Sequence, residues 1–365
     1  MVMKSSFSVI IPARNAASEL GECLASALRE GSELSPLEVI VVDDGSADAT
    51  TAVAQARGAR VVRMDGLGPA AARNAGARAA SSDLLVFMDA DCVAEEGCFR
   101  ALLAPFADPI VAGTRSGYTS TQRSPVARFT QLEMEEKQER LASSRQVTLV
   151  DTACAAYRRE LFLTQGGFDQ RLPATSVEDA EFSFRLASQG HRLVYAPGAV
   201  VRHRHPEKLG LYLWRKLRFG YFRAQLYGRY PARLRGDGYT PRLMPLQIML
   251  GGAMVPCLFA TPWLAAAIPL AGASLVAFLA TTLPMARRAW RIDRPLTPLV
   301  PPLLLARSFA QGLGLLAGLT VHLARLCRGI PAGIVRGQVH SSQPVEPDSS
   351  QTLSEEGTSN SAPAS

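Results

Sequence analysis

Leu84-Leu85-Val86-Phe87-Met88-Asp89-Ala90-Asp91 is the stretch whose reading decides the fold. Five apolar residues that end in two carboxylates one residue apart read as a buried parallel strand, delivering Asp89 and Asp91 at its C-terminal edge. Open α/β sheets bind ligands at that edge. Two carboxylates there suit a hard divalent cation, because Mg2+ takes one or two protein carboxylates and fills its other positions with water and phosphate oxygens. The competing reading is a polar turn after a buried strand, so the surrounding chain has to decide.

Upstream, apolar runs alternate with helical spacing. Phe7–Ile11 reads as a strand ended by Pro12, and Ser18 is a plausible cap for a helix carrying Leu20, Leu24, Ala27 and Leu28. Further strands are expected at Glu38–Val42 and Ala59–Arg63, with helices at Asp48–Ala56 and Pro69–Ala80. This alternation implies right-handed crossovers and a mostly parallel, Rossmann-like sheet with helices on both faces. Downstream the pattern loosens. Helices are expected at Glu95–Leu103, Pro125–Leu141, Glu160–Gln165 and from Val177 through Ala187, strands at Thr152–Tyr157 and His191–Ala196, and a turn at Gly166-Gly167-Phe168-Asp169.

Charge divides the 365 residues unevenly. Residues 1–199 carry 20 Lys+Arg against 25 Asp+Glu, residues 200–336 carry 19 against 3, and residues 337–365 carry none against 4. The basic surplus sits in the segment that is also the most apolar, since Leu243 to Ala286 contains no Asp, Glu, Lys, Arg or His. That span is long enough for two bilayer crossings. Basic residues beside such spans point to a cytoplasmic membrane face and away from nucleic acid, which would need them on a polar face.

The expected crossings are residues 244–261 and 263–285, with 300–323 a weaker third because Arg307, Gln311 and His322 interrupt it. A third crossing would leave Arg325, Arg328 and Arg336 outside, against the positive-inside rule; a re-entrant or interfacial segment would avoid this. Residues 206–242 read as an amphipathic interfacial helix, aromatic and basic from Lys208 to Tyr227, with a basic juxtamembrane linker. Residues 337–365 are rich in Ser, Pro, Gln and Glu and are expected to be disordered. Six scattered cysteines without a Cys-x-x-Cys pair indicate neither a zinc site nor a disulfide framework. With no signal peptide read at the start of the sequence, the expected location is the inner membrane, multi-pass, with residues 1–205 facing the cytoplasm.

Three acidic clusters follow in order: Asp43-Asp44-Gly45-Ser46 after the second strand, Asp89-Ala90-Asp91 after the fourth, and Glu178-Asp179 at a helix start. The first two converge on one sheet edge, where a nucleotide would fit with its base near the first and its diphosphate bridged to metal by the second. Transfer from a diphosphate donor then needs a carboxylate to take the acceptor's proton, and Asp179 is the candidate. A nucleotidyltransferase would use the same edge without needing Glu178-Asp179, and a non-catalytic membrane scaffold would need none of the three.

Val9-Ile10-Ile11-Pro12-Ala13-Arg14-Asn15, Val41-Val42-Asp43-Asp44-Gly45-Ser46, Ala71-Ala72-Arg73-Asn74-Ala75-Gly76, Asp89-Ala90-Asp91, Gly166-Gly167-Phe168-Asp169 and Glu178-Asp179-Ala180-Glu181-Phe182 together resemble the inverting nucleotide-sugar glycosyltransferases of family 2 over roughly residues 5–205. The resemblance implies a GT-A-type fold followed by C-terminal membrane helices. It implies that Pro12 and Asn15 border the nucleoside pocket, that Asp43 contacts the base, that Arg73 lies near base or phosphate, and that Asp44 and Asp89 bind the nucleotide sugar. It further implies that Asp89 and Asp91 hold Mg2+ or Mn2+, with His203 or His205 a further ligand, that Asp179 is the general base, and that Glu178 and Gly167 lie on the acceptor side. Arg14 stands where many members carry an aromatic residue. The donor's base, uracil or guanine, stays open, uracil being the commoner. Two or three C-terminal apolar segments are too few for a polymer-conducting channel, so transfer of a single sugar to a lipid-linked or polyprenyl-linked acceptor is expected.

Overall fold

The computed structural model describes residues 6–32, 34, 37–144, 146–172, 177–232, 240–260 and 266–328. The tail at 337–365, part of the basic linker and the break between the first two expected crossings lie outside them.

The first half follows the expected alternation: β1 (Phe7–Ala13), α1 (Ala17–Ser32), β2 (Leu37–Asp44), α2 (Thr50–Ala56), β3 (Arg60–Met64), α3 (Pro69–Ala79) and β4 (Leu84–Met88). These strands lie in the order β3-β2-β1-β4, all parallel. Every residue of β4 is buried, which is why its sequence is a continuous apolar run. Pro12 does not end β1. Pairing with β4 stops at Ile10, while pairing with β2 continues through Pro12 and Ala13, so a residue without an N–H is tolerated where one edge is unpaired. Nor does Ser18 cap α1: it lies inside the helix, and the amides of Ala16 and Ala17 donate to Thr50 Oγ1 at the start of α2 (2.8 Å) and to Asp48 Oδ2 in the loop after β2 (3.1 Å).

Beyond Asp91 come β5 (Val93–Ala94), α4 (Cys98–Leu103), β6 (Val111–Thr119), α5 (Pro125–Ser144), β7 (Gln146–Val147), β8 (Cys154–Arg158), α6 (Arg159–Thr164), α7 (Glu178–Ser188) and β9 (Arg192–Arg202). They extend the sheet as β4-β8-β6-β9-β5, with β8 antiparallel to both neighbours, so the complete sheet is mixed. β6 has no counterpart in the sequence reading. Its Val-Ala-Gly-Thr-Arg-Ser-Gly-Tyr-Thr lacks an apolar run, yet all but its last residue are buried. Small residues are required there, since a Cβ on Gly113 would lie 2.7 Å from the Tyr157 ring. β9 runs six residues past the expected Ala196, which carries the chain to His203.

The C-terminal helices are α8 (Leu209–Arg229), α9 (Met244–Ala260), α10 (Ala267–Ile292) and α11 (Val300–Cys327). α10, and α11 together with its preceding turn, are long and apolar enough to cross a membrane. α11 continues through Arg307 and Gln311 because both are buried against other helices. Arg307 donates to Glu133 of α5 (2.7 Å) and to Gln247 of α9. Glu133 also accepts from Lys216 Nζ (2.9 Å) and the Tyr212 hydroxyl (3.0 Å), both on α8. Burial alone would raise the Glu133 carboxyl, but Lys216 and Arg307 overcome it and hold it down at about 2.

Removing this carboxylate strands two cations in a site with few other acceptors. Glu133→Ala is expected to cost about 3–5 kcal/mol, as for a broken buried ion pair, read as a lower unfolding midpoint in detergent. The group's depressed pKa makes its contribution complete above the unfolded carboxyl's range and lost as pH falls toward 2. The midpoint difference between wild type and variant should therefore shrink on acidification.

Candidate active site

β2 and β4 end side by side across β1, which brings the loops carrying Asp43, Asp44, Asp89 and Asp91 to one edge. Asp43 closes its own loop. It accepts from the Ser46 amide (2.9 Å) and from the Thr51 hydroxyl, and although burial works the other way, these bonds and the Arg63 charge hold its carboxyl below the usual range. Asp44 accepts from the amides of Leu67 (2.8 Å) and Gly68 (2.7 Å), fixing the turn into α3. Asn15 takes a left-handed conformation (φ 50°), with its amide donating to Ser46 Oγ (3.0 Å) and its side-chain oxygen accepting from the Ala47 amide (2.8 Å). Pro12, Asn15, Asp43 and Asp44 thus share one rim.

Arg73, buried on α3, joins the second and third acidic clusters. One terminal nitrogen donates to Asp89 Oδ1 (2.7 Å) and the other to Glu178 Oε1 (3.2 Å), across 105 residues of sequence in the second case. An aromatic cluster sets this distance. Phe87, two residues before Asp89, packs on Phe168 (centroids 5.5 Å apart), which packs on Phe182 of α7 (5.3 Å), three residues after Asp179. Asn74 locks the intervening turn by donating to the Phe168 carbonyl (2.8 Å) and accepting from its amide (2.9 Å).

Gly167 is part of that lock. It has φ 66°, its carbonyl accepts from Arg185 (2.7 Å), and a Cβ there would lie 2.5 Å from Asn74 Oδ1. Gly167→Ala is expected to destabilise by more than about 1 kcal/mol, since both conformation and space oppose a side chain. A urea midpoint unchanged from wild type would contradict this.

Asp179 is half-buried at the start of α7, with Oδ1 accepting from the Ala180 amide (2.6 Å). Burial, then the charges of Glu178 and Asp151, push its carboxyl up to about 7 against the opposing Ala180 and Arg73 contributions. Asp151, just before β8, was not singled out from the sequence. It pairs with Arg115 of β6 (2.8 Å) and Lys137 of α5 (3.3 Å), and the Tyr118 hydroxyl donates to it. Its signal was only a lone carboxylate after an apolar run, and two of its partners, Arg115 and Tyr118, come from a strand that has no apolar run.

Asp89 and Asp91 face different neighbours. Arg73 draws Asp89 toward α3 and α7, whereas ligand atoms of Asp91, Cys92 and His203 all lie within 4.8 Å of one another. Burial raises the Asp91 carboxyl, His203 opposes this, and Asp89 adds to it. His203 Nδ1 is buried without a hydrogen-bond partner among the described residues. Carboxylate oxygens plus an imidazole nitrogen with no bonded neighbour fit a divalent cation of the Mg2+ or Mn2+ kind. The Cys92 thiol belongs to the same group, and burial together with the two aspartates pushes its pKa far up. His205 is directed elsewhere. Its Nε2 meets Gln131 Oε1 (2.9 Å), and burial, His203 and nearby basic residues push its pKa down to about 3.

Residues 8–164, which include both sheet-edge acidic loops, match the family model described as Glycosyl transferase family 2. The chain carries a family 2 glycosyltransferase domain. It is 34% identical over 234 residues to the pre-mycofactocin glycosyltransferase of Mycobacterium tuberculosis, a match covering 61% of this chain and 48% of that protein. It is also 29% identical over 312 residues to an N-acetylglucosaminyltransferase of Mesorhizobium japonicum, covering 76% of this chain and 73% of that protein. The chain thus spans about half the length of the pre-mycofactocin relative. Among solved structures, the mannosyltransferase PcManGT from Pyrobaculum calidifontis, in complex with GDP-Man and Mn2+, superposes with a TM-score of 0.55 at 22% identity, covering 86% of this chain and 88% of that one. The family 2 domain therefore has the GT-A-type fold, built on a mixed sheet.

Proposed function

We propose that this chain is a membrane-associated, metal-dependent glycosyltransferase that moves a single sugar from a nucleotide-diphosphate donor to an acceptor hydroxyl with inversion. The observation that carries this reading is the Arg73 guanidinium held between Asp89 and Glu178, beside an Asp179 carboxyl poised near neutrality. A carboxyl with that pKa suits proton abstraction at physiological pH.

In the proposed reaction Asp179 takes the acceptor hydroxyl's proton. The freed oxygen attacks the anomeric carbon from the face opposite the diphosphate, and the bond from that carbon to the phosphate oxygen breaks. Pro12, Asn15, Asp43 and Asp44 border the nucleoside, and Arg73, near base or phosphate, fixes one Asp89 oxygen. Asp89 and Asp91, with His203, would hold Mg2+ or Mn2+, which when bound offsets the charge developing on the leaving diphosphate. Glu178 and Gly167 are proposed to border the acceptor.

Residues 1–205 are proposed as the catalytic domain on the cytoplasmic side of the inner membrane, with residues 206–242 at the interface, 243–330 in the bilayer and 337–365 as a tail. An acceptor at that surface, a lipid-linked or polyprenyl-linked glycan, would account for the anchoring. The GDP-Man and Mn2+ of the structural relative support testing a GDP-linked donor beside a UDP-linked one. Isothermal titration with UDP and GDP tests the binding half of the reading. One of the two is expected to bind with Mn2+ present and to weaken sharply with chelator; no metal-dependent binding of either would contradict it.

A further inference from the structure

α8 and α11 run side by side in the same direction. A Cβ on Gly314 would fall on the Leu217 carbonyl, one on Gly220 would fall on the Gln311 carbonyl, one on Gly318 on the Tyr221 carbonyl, and one on Gly228 on the His322 ring. From Leu217 with Gly314, through Tyr221 with Gly318, to Gly228 with His322, residue numbers rise together along both helices, and the backbones touch where glycines allow it, with Gly314 and Gly318 one turn apart on α11.

α8 is in turn fastened along the catalytic domain near both of its ends. Near its start Tyr212 and Lys216 bond to Glu133 of α5. Near its end Phe222 and Leu226 share a core with Val177, Ala180 and Phe184 of the α7 region, Arg223 lies 5.3 Å over the Phe184 ring, and the Tyr230 hydroxyl donates to Glu181 (3.0 Å). α11 follows the same path. It is tied to Glu133 through Arg307 and still touches α8 at His322, fifteen residues later, a length of about 22 Å at the α-helical rise.

A helix crossing a bilayer upright over that length would pull α7 and its charged surroundings, including Glu181, Arg185 and Asp169, into hydrocarbon. The exposed face of α11 is nevertheless apolar: Leu313, Leu316, Leu319, Leu323 and Leu326 form one stripe, opposite the buried Arg307, Gln311, Gly314 and Gly318. α10 differs, being exposed and apolar along most of its length at Ile268, Leu270, Val276, Leu279 and Leu283.

We infer that α11 lies in the plane of the membrane, stacked on α8 beneath the catalytic domain, with its leucine stripe in the upper part of the acyl region, and does not cross the bilayer. The inference rests on the membrane association proposed above and deepens it. In this arrangement Arg325 and Arg328 stay on the catalytic side, which removes the conflict with the positive-inside rule.

The test uses the full chain in nanodiscs, with Cys257 and Cys327 replaced by Ser. Single cysteines replace Leu313, Leu316, Leu319, Leu323 or Leu326 in turn, with Val276→Cys on α10 as reference. Each carries a bimane probe, and the lipids carry a nitroxide either near the head group or deep in the acyl chain. The expected result is strong shallow quenching with one deep-to-shallow ratio at all five α11 sites, and deep quenching at Val276→Cys. Quenching that grows deeper and then shallower along α11 would mean a crossing and overturn the inference. Quenching confined to α10 would also overturn it, by removing α11 from the lipid. No quenching at any site would fell the membrane reading itself, and this inference with it.

Discussion

Asp179→Asn is expected to lower sugar transfer by roughly 10²–10⁴-fold, the usual contribution of a positioned general base, while nucleotide binding stays close to wild type. Asparagine keeps the shape of the side chain and cannot take the acceptor's proton. The direction of the pKa shift supplies an independent readout. The working form is the carboxylate, so wild-type kcat/KM should rise with pH up to about 7 and level off above it. The variant's residual rate should lack that inflection. Stability should move the other way from activity. A carboxyl raised in the folded state contributes stability that is complete below its unfolded pKa and is lost as pH rises through about 7, so at alkaline pH the ionised group is a liability that asparagine relieves. Thermal unfolding at pH 8 should therefore show Asp179→Asn no less stable than wild type. A variant that is inactive because it is unfolded would contradict the assignment.

Asp91→Asn is expected to remove the metal-dependent part of catalysis, a loss of several kcal/mol of charge stabilisation, or about 10²–10³-fold in rate. Asp91 is the better target of the two aspartates because Asp89 has a structural bond as well. Asp89 neutralises the buried Arg73, so its removal would leave that cation with Glu178 as its remaining ion-pair partner. Asp91 has no ion pair among the described residues, and burial raises its carboxyl, so amidation should leave the fold intact. The check is a Mn2+ titration of nucleoside diphosphate release. The variant should need far more Mn2+ or fail to saturate, and an unchanged Mn2+ curve would remove Asp91 from the ligand set.

The parallel half of the sheet was legible because strands buried on both faces write themselves as continuous apolar runs, as Val39-Ile40-Val41-Val42 and Leu84–Met88 do. The acidic loops were legible for the same reason, since each follows directly on such a run. β6 was not, because a strand threaded past the Tyr157 ring needs glycine, and glycine reads as turn. Its Arg115, and with it the Arg115–Asp151–Lys137 group beside Asp179, was hidden along with it. The interruptions in the last apolar segment carried information of another kind. Arg307 and Gln311 look like breaks in a membrane span, yet both are buried, and Arg307 binds α11 to α5 and α9. Periodicity shows that such a residue is polar but not which distant carboxylate meets it. The pairing of Arg73 with Asp89 and Glu178 was hidden in the same way, although all three residues had been singled out.

The most direct test of the central claim is a donor screen on the full chain in detergent. Nucleoside diphosphate release is followed from a panel of UDP-linked and GDP-linked sugars with Mg2+ or Mn2+, with lipid extract supplied as acceptor. Release from one donor, abolished by chelator and by Asp179→Asn, is the predicted result. Release of pyrophosphate in place of nucleoside diphosphate, or turnover that survives both the chelator and Asp179→Asn, would contradict it.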